Sequence, residues 1–120
     1  MILGQNFRPG DFLVFQLEAG FGLLRVLGVD IGPEDVIWHV AAYENIFPDV
    51  ETAESAADMG QLKASLDHVA LTDRAFESTQ VARLSNSPLT DHELAAFRQW
   101  TADPKPEVSD RSIRLMLGLR

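Results

Sequence analysis

Apolar residues crowd the first third of the chain in runs too dense for a strand with one wet face. Pro9-Gly10-Asp11 is a turn signal that opens into Phe12-Leu13-Val14-Phe15-Gln16-Leu17, a β-prone run. Glu18-Ala19-Gly20-Phe21-Gly22 supplies hairpin glycines, and Leu23-Leu24-Arg25-Val26-Leu27-Gly28-Val29 returns. With nearly every position apolar, both faces of these strands should be covered. After the Asp30–Asp35 turn, Val36 to Tyr43 reads as a third strand. It places Val36, Trp38, Val40 and Ala42 on one face and Ile37, His39, Ala41 and Tyr43 on the other. The connections are too short for parallel crossovers, so the three strands form an antiparallel meander.

The pattern then loosens. Asn45 to Asp49 reads as an irregular loop, Val50 to Asp58 as a weak helix, and His68 to Leu71 as a short strand. Thr72 caps a turn of helix through Phe76, and Gln80 to Leu84 reads as another strand. Thr90 and Glu93 have capping-box spacing, and Leu89 and Leu94 the spacing of a hydrophobic staple. They predict a helix from Asp91 to Thr101, which Pro104 and Pro106 then end. In the tail, Ile113, Leu115, Leu117 and Leu119 fit a strand slightly better than a helix. The whole predicts one α+β domain over residues 1–120, an antiparallel curved sheet or partly open SH3-like barrel with the capped helix packed on it. Leu13, Phe15, Leu24, Val26, Val36, Trp38, Val40, Leu94, Phe97 and Trp100 are its expected core.

Charge changes this picture most. Between Val26 and Leu62 there is no lysine or arginine, yet the stretch holds Asp30, Glu34, Asp35, Glu44, Asp49, Glu51, Glu54 and Asp58. The acids elsewhere balance all 10 basic residues, so the whole formal charge of −8 sits on that one window. A negative surface attracts basic partners and repels nucleic acid and anionic lipid. No basic patch with interleaved aromatics appears, so neither nucleic acid nor membrane is expected as a partner. The chain has no cysteine, which removes thiolate metal sites and cysteine nucleophiles and suits a reducing cytosol. No signal peptide or apolar span is read, and the expected location is cytoplasmic.

Candidate chemistry is sparse. His39, His68 and His92 form no HExxH-like pair, and hydrogen-bonded or solvated rings outweigh a zinc site. The short-spaced acids read as a solvated face before a catalytic dyad, and no Gly-x-Ser-x-Gly or phosphate loop occurs. No catalytic residue, metal or cofactor is therefore assigned. What remains is a binding surface in which acids border aromatics. Glu34, Asp35, Tyr43, Glu44, Asp49 and Glu51 are the candidate partner-binding residues, for a basic protein partner. The alternative is a small enzyme or ligand-binding domain with a pocket near His39 or His68. Self-association is left open.

The segment Arg8-Pro9-Gly10-Asp11-Phe12-Leu13-Val14-Phe15-Gln16-Leu17, followed by Phe21-Gly22-Leu23-Leu24-Arg25-Val26-Leu27, resembles the opening hairpin of the immunity protein 26 family. These are small bacterial proteins associated with polymorphic toxin systems. The shared pattern is a Pro-Gly-Asp turn, an apolar strand, a glycine-containing loop and a second strand with Gly-x-x-Arg-Val. The resemblance implies an antitoxin-like binder that blocks a toxin by occupying it.

Overall fold

The computed structural model describes residues 6–118. It is an α+β fold whose sheet has five strands: β1 (Asp11–Leu17), β2 (Gly20–Ile31), β3 (Val36–Tyr43), β4 (Ala64–Thr72) and β5 (Ala82–Asn86). Their order is β4-β3-β2-β1-β5, every pairing is antiparallel, and the sheet stays open rather than closing into a barrel. Four helices complete it: α1 (Val50–Asp58), α2 (Asp73–Glu77), α3 (Asp91–Ala102) and α4 (Ile113–Met116). Among the described residues no helix is long and apolar enough to cross a membrane.

The apolar runs do bury both faces. On one face Leu13, Phe15, Leu24, Val26, Trp38 and Val40 pack with Phe76 of α2 and Ile113 of α4. On the other, Phe12, Val14, Leu23 and Tyr43 pack with Ala53, Ala56 and Ala57 of α1 and with Phe47. Trp38 is core, stacked on Phe76 at 4.2 Å between ring centroids. The hairpin glycines serve close approach: Gly20 has φ 145, and a Cβ there would fall 2.2 Å from the Phe47 carbonyl oxygen. That space lets Phe21 and Phe47 exchange backbone hydrogen bonds of 2.8 Å and ties the loop before α1 to the hairpin.

The Pro9-Gly10-Asp11 turn is pinned by the Asp11 carboxylate, which is fully buried. It accepts from the Arg8 amide at 2.9 Å, Arg83 Nε at 2.8 Å and Asn86 Nδ2 at 2.8 Å, joining the turn to β5.

Three expectations are corrected. The tail is not a strand: Ser109 touches the edge of β4, with its amide donating to Ala70 O at 2.8 Å, and Ser112 then caps α4. The cap defeats the alternation, and Leu115 stands 64% exposed while Ile113 is buried; Leu119 lies outside the described residues. The strand read at His68–Leu71 is longer, Ala64–Thr72, an edge strand whose outer residues Ala64, Ser65 and Asp67 are exposed. Leu94, Phe97 and Trp100 are half-buried rather than core, since α3 lies on the sheet with one edge open to water.

Candidate functional site

Between α1 and α3 the second face of the sheet is left partly uncovered, and the gap is a cavity of about 700 Å³. Phe12, Leu27, Ala41 and Tyr43 line it from the strands, Ala57 and Asp58 from α1, and Glu93 and Ala96 from α3. Its volume is within the roughly 300–1,000 Å³ of small-ligand sites.

Arg25 rises from β2 beside this cavity and is 2% exposed. A buried guanidinium needs partners for all five N–H groups, and Arg25 has them. Nε donates to Glu93 Oε2 at 2.9 Å, and Nη2 donates to Glu93 Oε1 at 3.2 Å and Pro88 O at 3.0 Å. Nη1 donates to Gly10 O at 2.6 Å and Ser87 Oγ at 3.2 Å. Its guanidinium also lies 4.1 Å over the Phe12 ring. Glu93 is shared with the capping box: it accepts from the Thr90 amide at 3.0 Å, while its own amide donates to Thr90 Oγ1 at 3.1 Å. Burial pushes the Glu93 carboxyl up, but the Arg25 and Thr90 hydrogen bonds and the Arg25 charge outweigh it, and its pKa ends below the ordinary value. Arg25 is thus a clamp holding α3 and the 87–88 turn to the sheet, with no N–H spare for an anion.

Tyr43, at the end of β3, is buried to 8% exposure. Burial raises its phenol to about 12, so the hydroxyl stays protonated at neutral pH. Among the described residues the hydroxyl has no protein hydrogen-bond partner, and the sealed side-chain oxygen without a partner is a different one, Thr79 Oγ1. Tyr43 itself lines the cavity.

A second polar cluster lies under the other side of α3. His39 is fully buried. Its Nε2 is 2.8 Å from Asp30 Oδ2, and its Nδ1 is 3.0 Å from His68 Nε2. Phe97 stacks on the His39 ring at 4.3 Å and Trp100 meets it edge-on at 4.6 Å. The helix comes this close because Gly28, opposite His39 in β2, has no side chain; a Cβ there would lie 2.7 Å from the Phe97 ring. One ring nitrogen of His39 thus faces the Asp30 carboxylate and the other faces the His68 ring. Both ring nitrogens of His39 are then committed. Among the described residues no group of three or more histidine or acidic side chains could hold a metal ion.

Burial, and secondarily the charge of His39, lower His68 from 6.5 to about 4. A base that weak is a poor proton acceptor at neutral pH. It does couple folding to pH. The unfolded chain binds the extra proton below about pH 6.5 and the folded protein resists it, so stability must fall as pH falls from about 6.5 to about 4. Allowing for the partial exposure of His68, the loss is about 1–2 kcal/mol. Urea midpoints measured across that window should decline in the native protein and stay flatter in His68→Gln. Parallel slopes would reject the assignment to this pair.

The expected partner-binding residues divide in space. Glu34 and Asp35 lie in the turn before β3, at the opposite end of that strand from Tyr43 and Glu44. Val36 to Tyr43 is eight residues, which separates the two groups by about 25 Å. Glu44 and Glu51 are exposed, and Glu44 lies 3.4 Å from the exposed Lys63 ammonium. Asp49 is exposed but is the N-cap of α1, accepting from the Thr52 amide at 2.7 Å and Thr52 Oγ1 at 2.6 Å; those bonds lower its pKa. Tyr43 faces the cavity rather than the open surface, and neither His39 nor His68 lines it. Sequence reasoning missed Arg25, Glu93, Asp58 and Asp67. An arginine inside a strand covered on both faces was the available signal for the first. Comparison with protein-family models, with curated proteins and with solved structures finds no match to this chain.

Proposed function

We propose that this protein is a non-enzymatic binder that engages a basic protein partner through its acidic surface, as an immunity protein engages a toxin. The observation that carries this reading is exposure: all eight acids of the 26–62 window reach solvent, and Glu44, Asp49, Glu51, Glu54 and Asp58 gather on and around α1. Salt bridges among them are few. Glu44 has Lys63, an exposed pair of little energetic weight. Such a surface speeds encounter with a basic partner and suppresses acidic ones. A reaction centred on the histidines has less support, because α3 covers His39 and His68 titrates far below neutrality.

The test uses Glu44→Lys, Glu51→Lys and Glu54→Lys together, sparing Asp49 because its loss would uncap α1. Tagged native and triple-variant proteins are used to capture partners from the host lysate at about 50 and 300 mM salt. At the higher salt, exposed charges are screened beyond roughly 6 Å. A basic protein held by the native surface, weakened by salt and lost on the folded variant is the expected result. Equal capture by both proteins would discard this surface.

A further inference from the structure

Three features of the α1–α3 cavity specify an occupant. The first is its charge. Arg25 and Glu93 neutralise each other through paired hydrogen bonds of 2.9 and 3.2 Å. Asp58 and Asp67 also line the cavity, are exposed, and have no ion pair or hydrogen bond among the described residues. The second is its floor, where Phe12, Leu27, Ala41 and Tyr43 supply apolar surface for a hydrocarbon stem. The third is Tyr43, a cavity-lining residue more than nine-tenths buried, whose hydroxyl has no hydrogen-bond partner among the described residues.

An anion would accept from the Tyr43 hydroxyl and yet fails on charge. It would meet two unpaired carboxylates, and Arg25 has no N–H left for it. A purely apolar group would strand the Tyr43 hydroxyl, at a desolvation cost of about 1–3 kcal/mol. A lysine or arginine side chain satisfies all three at once. Its stem covers the apolar floor, its N–H groups donate to the Tyr43 oxygen and to the carboxylates, and its charge offsets theirs.

We propose that this cavity receives a lysine or arginine side chain of the basic partner, with the Tyr43 hydroxyl as hydrogen-bond acceptor and Asp58 and Asp67 as counter-charges. This deepens the partner-binding reading and rests on it. The source of the cation is argued from continuity. Asp58 ends α1, whose exposed acids Glu51 and Glu54 run up to it, so the cavity mouth and the acidic surface share an edge.

The experiment is an amide chemical-shift titration of the native protein with blocked tripeptides Gly-Lys-Gly and Gly-Arg-Gly. The controls are the same peptide with the lysine acetylated, Gly-Glu-Gly, and n-butylammonium. Saturable shifts at Ala57, Gly60 and Ala96, with a dissociation constant of about 1–10 mM, are expected for the cationic peptides and not for the acetylated or acidic ones. Tyr43→Phe should weaken binding about threefold or more, and the Asp58→Asn, Asp67→Asn pair about tenfold. The substitutions keep the Tyr43 ring in its packing and alter only groups without a hydrogen bond or ion pair among the described residues, so these variants should stay folded, which the dispersion of the same spectra checks. Absence of saturation, or equal shifts with the acetylated peptide, would overturn the proposal. Butylammonium binding as tightly as the peptides would also overturn it, by marking a free amine as the ligand. The Glu44, Glu51 and Glu54 variant separates the two readings. A basic partner captured through those residues beside a flat peptide titration sinks the cavity and spares the surface, whereas peptide saturation without any such capture sinks the surface reading.

Discussion

Replacing Arg25 with methionine is expected to cost about 3–5 kcal/mol of stability and to loosen α3 from the sheet. Methionine keeps most of the stem over Phe12 but removes five donors. The Pro88 carbonyl and the Ser87 hydroxyl then lose the Arg25 donor, while Gly10 O keeps only the Ser87 amide at 3.1 Å and the half-buried Glu93 carboxylate only the Thr90 amide at 3.0 Å. A domain of this size has about 5–15 kcal/mol in all, so the variant should unfold at far lower urea. Arg25→Lys should recover little, since an ammonium cannot reproduce the planar fork that bridges Glu93, Pro88 and Gly10. The measurement is equilibrium urea unfolding in a cycle with Glu93→Gln. Costs that fail to add, by about 1 kcal/mol or more, are expected for groups in direct contact. A single-variant loss below about 1 kcal/mol would show that the clamp is decorative.

What the sequence disclosed, and what it hid, follows from how far apart the interacting residues lie. The β1–β3 meander, the helix at Val50–Asp58, the Thr72 cap and the Thr90–Glu93 capping box are all settled by neighbours within a few positions, and all stand in the fold. The tail misled because its alternating leucines outvoted a single residue, Ser112, whose side chain accepts from the Leu115 amide and starts α4. Of the cavity lining, Tyr43 alone stood among the expected binding residues, and the acids Asp58, Asp67 and Glu93 did not. Arg25 and Glu93 are 68 positions apart and His39 and His68 are 29 apart; nothing local marks either pair. Tyr43 was singled out as an interface residue, yet the pleat turns its ring inward, where it becomes part of a cavity wall. A charge window predicts which surface attracts, but only register and helix placement reveal a hollow behind it.

Trp38→Ala is the second large loss expected, about 3–5 kcal/mol, and it bears on function by removing an ambiguity. An aromatic among acids could serve an interface or a core. Trp38 is 1% exposed, lies 11° from parallel to Phe76, and donates from Nε1 to Asp73 Oδ1 at 2.8 Å. It therefore fixes α2 to the sheet, and any binding defect of Trp38→Ala should vanish once the data are corrected for the folded fraction. Trp38→Phe should cost less, about 1–2 kcal/mol, because the ring contact survives while the Asp73 carboxylate loses its donor. Similar losses for both variants, by urea unfolding, would contradict this division between stacking and hydrogen bond. Trp38 and Arg25 stand on opposite faces of the sheet and share no partner, so their costs should add. The sum for Trp38→Ala with Arg25→Met, about 6–10 kcal/mol, reaches the stability of a whole domain. The double variant should lack far-ultraviolet dichroism of a folded protein at 25 °C in about zero urea, whereas the surface variants at Glu51, Glu54 and Asp58 should retain it.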